Sequence, residues 1–352
     1  MLEQSKVSVA IQANDQATLD ILINKSTQDP DSLREFLQHL LVHSAASQQF
    51  HWHPELGWVH PTVILNSVKN ICGLKLDNPS LPLLNYAVEI ARDAQSSPRD
   101  SDWRKVSEKE RIKPLFVMDF RQALANRDID SALSEAAKML LMSDNKSYVL
   151  EIICDSLLDQ FDAFGLLTYS FYRSAAFCPK ADAHYFVSSL IEFILGPESI
   201  AKSNLEERTI HPILFAAVQR LQSSESVLQS SFLKLGELNS PDFSENGGGG
   251  NGTVLNKKPV KDIVTAWKSG NPETLGMMIK GEAKSGDNSW PVTLAEARLI
   301  EGEDMSPFWL VALDAVQYLV REGSGWSVTD LSGLLIKEET IIETEEGNTR
   351  QR

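Results

Sequence analysis

The chain has 352 residues, of which 42% are hydrophobic and 23% charged, and a formal net charge of −15. That composition is ordinary for a globular protein, and the length exceeds one small core and points to two or three domains. Acidic residues outnumber basic ones 48 to 33, which excludes a nucleic-acid partner, since phosphate backbones are held by clustered Lys and Arg, and disfavours anionic lipid surfaces.

At the N-terminus, "MLEQSKVSVAIQANDQ" has no basic segment followed by an apolar core, so no secretory signal is expected. No apolar run approaches the ~20 residues that would cross a bilayer. The three cysteines, Cys72, Cys154 and Cys178, are far apart and form no CxxC pair. A disulfide framework or zinc ribbon is therefore excluded, and Cys72 and Cys154, within apolar helical runs, are expected to be buried. These features fit a cytoplasmic protein in a reducing compartment.

The first clear helix begins at Ser32. Ser32 and Glu35 make a capping-box pattern, and Leu33, Phe36, Leu37, Leu40 and Leu41 follow on one helical face. His39 and His43 are four residues apart on that helix. The next stretch, "FHWHPELGWVHPTVILNSVKNI" at residues 50–71, adds His51, His53 and His60, so five of the seven histidines fall between positions 39 and 60. An i, i+4 histidine pair projects two imidazoles the same way and can bind a transition metal or haem iron. A complete site needs a further ligand, which His51, His53, Glu55 or His60 would supply. Neither the HExxH pattern nor a pair of Glu-x-x-His helices is present, so hydrolytic zinc and di-iron chemistry lack their usual groups. The plainer reading is a set of boundary histidines that hydrogen-bond locally. "VHP" at His60 and "IHP" at His211 both precede an apolar helix, where proline pre-sets the first turn.

Pro61 is expected to open a helix through Val63, Ile64, Val68 and Ile71, and "LPLLNYAVEIARDA" gives another. A polar break near 95–112 marks a sub-boundary. Residues 114–143 read as a helical hairpin turning at Asn126–Asp130, and four further amphipathic segments run to about residue 222. Asp155, Asp159 and Asp162 form a line of carboxylates expected to face solvent, without EF-hand spacing. Phe161, Phe164, Tyr169, Phe171, Tyr172 and Phe177, with Tyr185, Phe186 and Phe193, make an aromatic patch. It is read as core, and it is where a small hydrophobic ligand would lodge. His184 is expected between helices.

Residues 239–259 are rich in Gly, Asn and Ser and are expected to form a flexible linker. "VKDIVTAWKSGNPETLGMMIKGEAKSG" follows and repeats the rhythm of residues 117–141, as a weak internal repeat of helical hairpins would. "SPFWLVALDAVQYLVREG" is a last amphipathic helix, and 341–352 is an acidic tail. No Gly-Lys-Ser/Thr phosphate loop, G-x-S-x-G elbow or S-x-x-K group occurs.

The segments "ELGWVHPTVILNSVKNI", "FRQALANRDIDSALSEAAKML", "LEIICDSLLDQF" and "FGLLTYSFYRSAAF" together resemble an uncharacterised bacterial family of all-helical domains, some of whose members are found beside Rieske-type iron–sulfur proteins. The likeness covers roughly residues 50–195. Family members carry a histidine and Asn-Ala in the helix matching "LLTYSFYRSAAF". This chain has Thr168 and Ser174-Ala175 there and no histidine. The resemblance implies an all-helical fold and supplies no activity.

The expected architecture is all-α. An N-terminal domain over 1–238 and a smaller helical C-terminal domain over 260–340 would be joined by the 239–259 linker. The expected function is that of a non-catalytic scaffold or accessory protein with a protein partner and no cofactor. The alternative is a metal- or haem-dependent oxidoreductase, or its accessory, using His39, His43, His51, His53 and His60.

Overall fold

The computed structural model describes residues 6–94, 117–145, 147–157, 160–200, 211–222, 262–286, 288–301 and 306–336. The expected polar break at 95–112, the linker at 239–259 and the tail at 341–352 lie outside these residues. The described chain is mostly helical, in agreement with the all-α expectation. In order come α1 (Lys6–Gln12), α2 (Gln16–Ser26), α3 (Pro30–Ala45), strands β1 (His51–His53) and β2 (Gly57–Val59), α4 (Pro61–Cys72) and α5 (Leu81–Asp93). Then follow α6 (Val117–Ala125), α7 (Ile129–Met142), α8 (Tyr148–Ser156), α9 (Phe161–Phe177), α10 (Ala183–Leu195), α11 (Pro197–Ile200) and α12 (Pro212–Gln222). The C-terminal helices are α13 (Ile263–Lys268), α14 (Pro272–Ser285), α15 (Trp290–Glu301), α16 (Pro307–Glu322) and α17 (328–336).

Three helix-to-helix turns among the described residues share one device. Asn14, Arg127 and Gly270 each adopt positive φ, at 51°, 55° and 61°. Asp15, Asp128 and Asn271 follow immediately and cap the next helix by accepting the N–H of Thr18, Ser131 and Thr274. In the first two turns the backbone closes in a Schellman pattern. Asp15 N–H donates to the Ala10 carbonyl and Asp128 N–H to that of Ala123, at 2.9 and 3.0 Å. A left-handed residue thus ends one helix and an Asx side chain starts the next without an intervening loop. The rhythm shared by residues 117–141 and the segment after 260 has this geometry behind it, and α1–α2 uses it as well.

The sequence reading differs from the structure at two local points. The cap of α3 is Asp29 rather than Ser32. Asp29 accepts from both the N–H and the hydroxyl of Ser32 at 2.8 Å, and Pro30 occupies the first turn. Aspartate before proline is pre-set for this role, so the helix begins at Pro30, three residues earlier than a Ser32 cap would place it. The stretch from His51 to Val59 is an antiparallel hairpin, pairing His51 with Val59 and Trp52 with Trp58. Gly57, at φ 75°, makes the turn possible, and a Cβ there would lie 2.4 Å from the Ala163 carbonyl oxygen. Only glycine lets β2 approach the start of α9 this closely. A six-residue ladder is too short to show as alternation in sequence.

The hydrophobic side chains of these elements form one contiguous core. Four helices meet at its centre: α4 packs on α16 and α9, and α12 packs on α9 and α16. Around this group α1, α2, α3 and α5 lie on one flank, α6–α8 and α10 on another, and α13–α15 beside α5 and α16. The expected division between residues 1–238 and 260–340 is crossed by this core. α16 buries every residue from Trp309 to Leu319, and α4 buries all but Asn70 of its twelve. Among the described residues no helix is long and apolar enough to cross a membrane.

The exposed caps Asp15, Asp29, Asp128 and Asp262 each hold their carboxyl below the ordinary value, chiefly through bonds from the residue three positions on. Their contribution is present above the ordinary carboxylate range and is lost as pH falls through the lowered values. Asp128→Ala is expected to lower the melting temperature at pH 7. Asp128→Asn should hold it near that of the parent and blunt the loss of stability below pH 4, as thermal melts across pH will show.

Candidate functional site

The five clustered histidines lie in separate surroundings. His39 is half-buried on α3, and His51 is exposed on β1. His43, 5% exposed, turns inward, and its Nδ1 lies 2.9 Å from the Ser8 hydroxyl of α1. The ring also bonds the Ala91 backbone on α5. Burial, partly offset by that bond, pushes its pKa down to about 4, so the imidazole is neutral at pH 7. His43 is a polar rivet among α3, α1 and α5. His60 is the N-cap of α4. Its Nδ1 accepts the Thr62 N–H at 3.1 Å, and its Nε2 lies 3.3 Å from the Ser47 carbonyl. The ring is buried against Phe50 and Phe171.

His53 uses Nδ1 to accept the N–H groups of Glu55 and Leu56 in the hairpin turn, and its ring lies 4.7 Å from that of Phe308 on α16. The structure brings His53 and Glu55 to His211. His211 Nε2 is 3.4 Å from Glu55 Oε2, and His211 Nδ1 accepts the Ile213 N–H at 3.3 Å. Burial lowers the His211 pKa and so does His53, while Glu55 opposes both. Each His-Pro pair thus starts a helix, as the sequence suggests, with the imidazole itself accepting the N–H two residues on. Among the described residues, no three His, Cys, Asp or Glu side chains form a group that could hold a metal ion. His184 is buried with its Nδ1 2.9 Å from the Ala181 carbonyl, and all three cysteines are buried and form no disulfide with one another. The aromatic patch is packed core: Phe171 meets Phe186 edge-on at 6.2 Å, and Phe193 stacks on Phe50 at 3.7 Å. Of the three carboxylates expected to face solvent, Asp155 is half-buried and pairs with Arg121 at 2.6 Å, Asp162 is half-buried, and Asp159 lies outside the described residues.

The strongest polar feature lies where α4, α9, α12 and α16 converge. Asp314 of α16, only 4% exposed, receives a two-pronged bond from Arg220 of α12, with both nitrogen–oxygen distances 2.8 Å. Arg220 also donates to the Asp314 carbonyl at 3.0 Å and to the Tyr169 hydroxyl at 3.3 Å. Its guanidinium lies 4.4 Å from the ring centre of Tyr318. Asn70 of α4 adds a donor to Asp314 Oδ2 at 2.9 Å. Burial alone would lower the Arg220 pKa, but Asp314 and Tyr169 more than reverse this and hold the cation charged. The pair ties helices on both sides of residues 239–259.

Beside this pair is a cavity of about 10 Å³, room for roughly one water molecule. Ser67, Tyr169 and Ser170 face it together with Arg220 and Asp314. One turn of α4 away from Asn66 and next to Asn70, Lys69 is also buried, at 8% exposure. Its ammonium lies 5.2 Å from the ring centre of Phe177. Burial, then the charges of Arg173 and Arg220 against that of Asp314, bring its pKa down to about 7.

None of Asn70, Lys69, Arg220 and Asp314 stands out as a motif in the sequence. A signal exists for two of them. Asp314 sits alone in the apolar run "FWLVALDAVQYLV" and Arg220 closes "ILFAAVQRLQ", and a lone charge within a buried helix requires a partner. Which partner, across 94 residues, only the packing shows.

Comparison with family models, with curated proteins and with solved structures found no match to this chain.

Two stability measurements test this reading. Asp314→Asn strands the buried Arg220 cation and is expected to lower the unfolding free energy by about 3–5 kcal/mol, whereas Arg220→Met with Asp314→Leu should restore most of it. Denaturant titration of the three variants checks both. For His43, the unfolded chain takes up a proton near pH 6.5 that the folded chain refuses until about 4. Stability is therefore whole above pH 6.5 and falls by roughly 3 kcal/mol as pH drops from 6.5 towards 4. His43→Gln should flatten that slope.

Proposed function

We propose that this protein is a non-catalytic helical scaffold that binds a protein partner. Three observations support the reading. The buried ion pair of Arg220 and Asp314 joins helices and has its oxygens filled by Arg220 and Asn70. Buried Arg298 rests on the rings of Trp267 and Trp309, at 5.2 and 5.5 Å, and so packs α15 on α13 and α16. Of the clustered histidines, His43, His53 and His60 serve as caps and rivets.

The observation that carries the proposal is on the surface. Met118 is 70% exposed and Met142 58%. Met118 opens α6 and Met142 closes α7, and the two helices are antiparallel neighbours, so both methionines lie towards the open end of one hairpin. Methionine is flexible and polarisable, and exposed methionines suit a surface that adapts to another protein. An accessory role of this kind agrees with the resemblance over residues 50–195 to helical domains found beside Rieske-type proteins.

A photo-crosslinking residue placed at 118 or 142 of the full chain is expected to capture one partner in near-stoichiometric amount. Met118→Asp with Met142→Asp should weaken that association at least tenfold (about 1.4 kcal/mol or more) and leave the melting temperature unchanged. Binding that survives the double change, or near-stoichiometric metal or a haem band in untagged protein, overturns the proposal in favour of the oxidoreductase alternative.

A further inference from the structure

Buried hydroxyls on these helices commonly turn back on a carbonyl of the preceding turn, as Ser44 does to Leu41 and Thr168 to Phe164, at 3.0 and 2.9 Å. Ser67 of α4 and Ser170 of α9 do not. They are 3% and 1% exposed, and neither hydroxyl makes a hydrogen bond among the described residues. Both line the cavity of about 10 Å³ beside the ion pair. Neither oxygen is fully sealed, as Ser174 Oγ is, so a water-sized molecule can touch each of them. A third hydroxyl lines the same cavity. Tyr169 accepts from Arg220 at 3.3 Å, and its own proton reaches no acceptor among the described residues. Asp314 is the fourth polar group in the wall. Its Oδ2 accepts from both Arg220 and Asn70, whereas Oδ1 accepts from Arg220 alone and keeps a lone pair. Three hydroxyl donors and one open acceptor position thus surround one small space.

We propose that this cavity is a hydration site, in which one ordered water molecule is held by Ser67 and Ser170 and completed by Tyr169 and Asp314. A buried hydroxyl without a partner costs free energy. Cavities that stay dry are lined by apolar groups, whereas a polar one of this size takes up a water that makes about three hydrogen bonds. The occupant is neutral, because Asp314 and Arg220 already balance each other. It must also accept from hydroxyls while donating to Asp314 Oδ1. Ammonium offers only donors and chloride only accepts, so neither serves the hydroxyl protons and the carboxylate together. Ala216 and Ala217 of α12 and Val311 of α16 are among the buried apolar residues that complete the wall. A water held there leaves only when the four helices part. It joins α4 and α9 to the carboxylate of α16, and so belongs to the same polar centre as the ion pair. The site is independent of the methionine surface on α6 and α7.

The sign of a stability change separates a wet cavity from a dry one. Oxygen-17 relaxation dispersion on the full chain counts the water molecules held for longer than the protein takes to tumble. Ser67→Ala with Ser170→Ala is expected to lower that count by one and the melting temperature by a few degrees, because the water loses two partners and the bonds it gave to Tyr169 and Asp314 go with it. In a crystal structure of the parent, a single solvent peak should lie in the cavity at ~2.5–3.0 Å from both serine oxygens. The proposal is overturned if the double variant keeps the parent's count, if no such peak is found, or if the variant melts higher than the parent. The last result is what removing two unpaired hydroxyls from a dry cavity would give.

Discussion

The structure depends on burying one ion pair well. Arg220 and Asp314 lie where α4, α9, α12 and α16 meet, and neither would be tolerated there alone. Removing a charge from water is expensive, and mutual attraction repays it only when geometry is good and the remaining donors and acceptors are filled. Here the fork is two-pronged, Asn70 fills a further site on Asp314, Tyr169 takes another bond from Arg220, and Tyr318 covers its face. Such a pair adds little net stability over a matched apolar pair, but it admits few alternatives. It fixes which face of α16 meets α4 and which turn of α12 meets both.

Around that point the remaining polar groups act as register marks. His43 fastens α3 to α1 and α5, and His60 fixes the start of α4 to the end of α3 through Ser47. Gln38 of α3 donates to the Phe177 carbonyl at the end of α9 at 2.7 Å. Arg127 reaches from the α6–α7 turn to the carbonyls of Ile194 and Gly196 at the end of α10. Apolar helix faces slide past one another easily, and one directional bond per contact selects a register. This is why so much of the histidine content is structural. Imidazole offers a donor and an acceptor on a flat, largely apolar ring, which suits a half-buried helix end. Lys69 differs from these groups in that it makes no hydrogen bond or ion pair among the described residues, and its buried ammonium rests over the Phe177 ring.

The local grammar was largely legible in the chain. Helix lengths, the His-Pro starts at 60 and 211, the turn at 126–130 and the burial of Cys72 and Cys154 follow from short-range rules, because caps, proline geometry and a 3.6-residue period act over a few positions. The errors are local too. Asp29 outcompeted Ser32 as the cap because proline after it pre-sets the helix, and the 51–59 hairpin depends on Gly57 fitting under Ala163, a residue 106 positions away.

What the sequence could not decide is anything set by pairing at a distance. The density of histidine at 39–60 suggests a shared site, yet helix direction sends His43 inward to Ser8 and a strand turns His53 towards His211. Nor does the sequence give Asp314 its partner. By itself it determined the helical class, the acidic surface and most helix ends, since those arise from composition and from neighbours along the chain. Only the tertiary structure decided that helices on both sides of residues 239–259 share one core, that Arg220 and Asp314 neutralise each other within it, and that Lys69 is buried near them over the Phe177 ring. Charges in a low-dielectric interior take their properties from whatever the fold places within a few ångströms, and sequence separation carries no record of that.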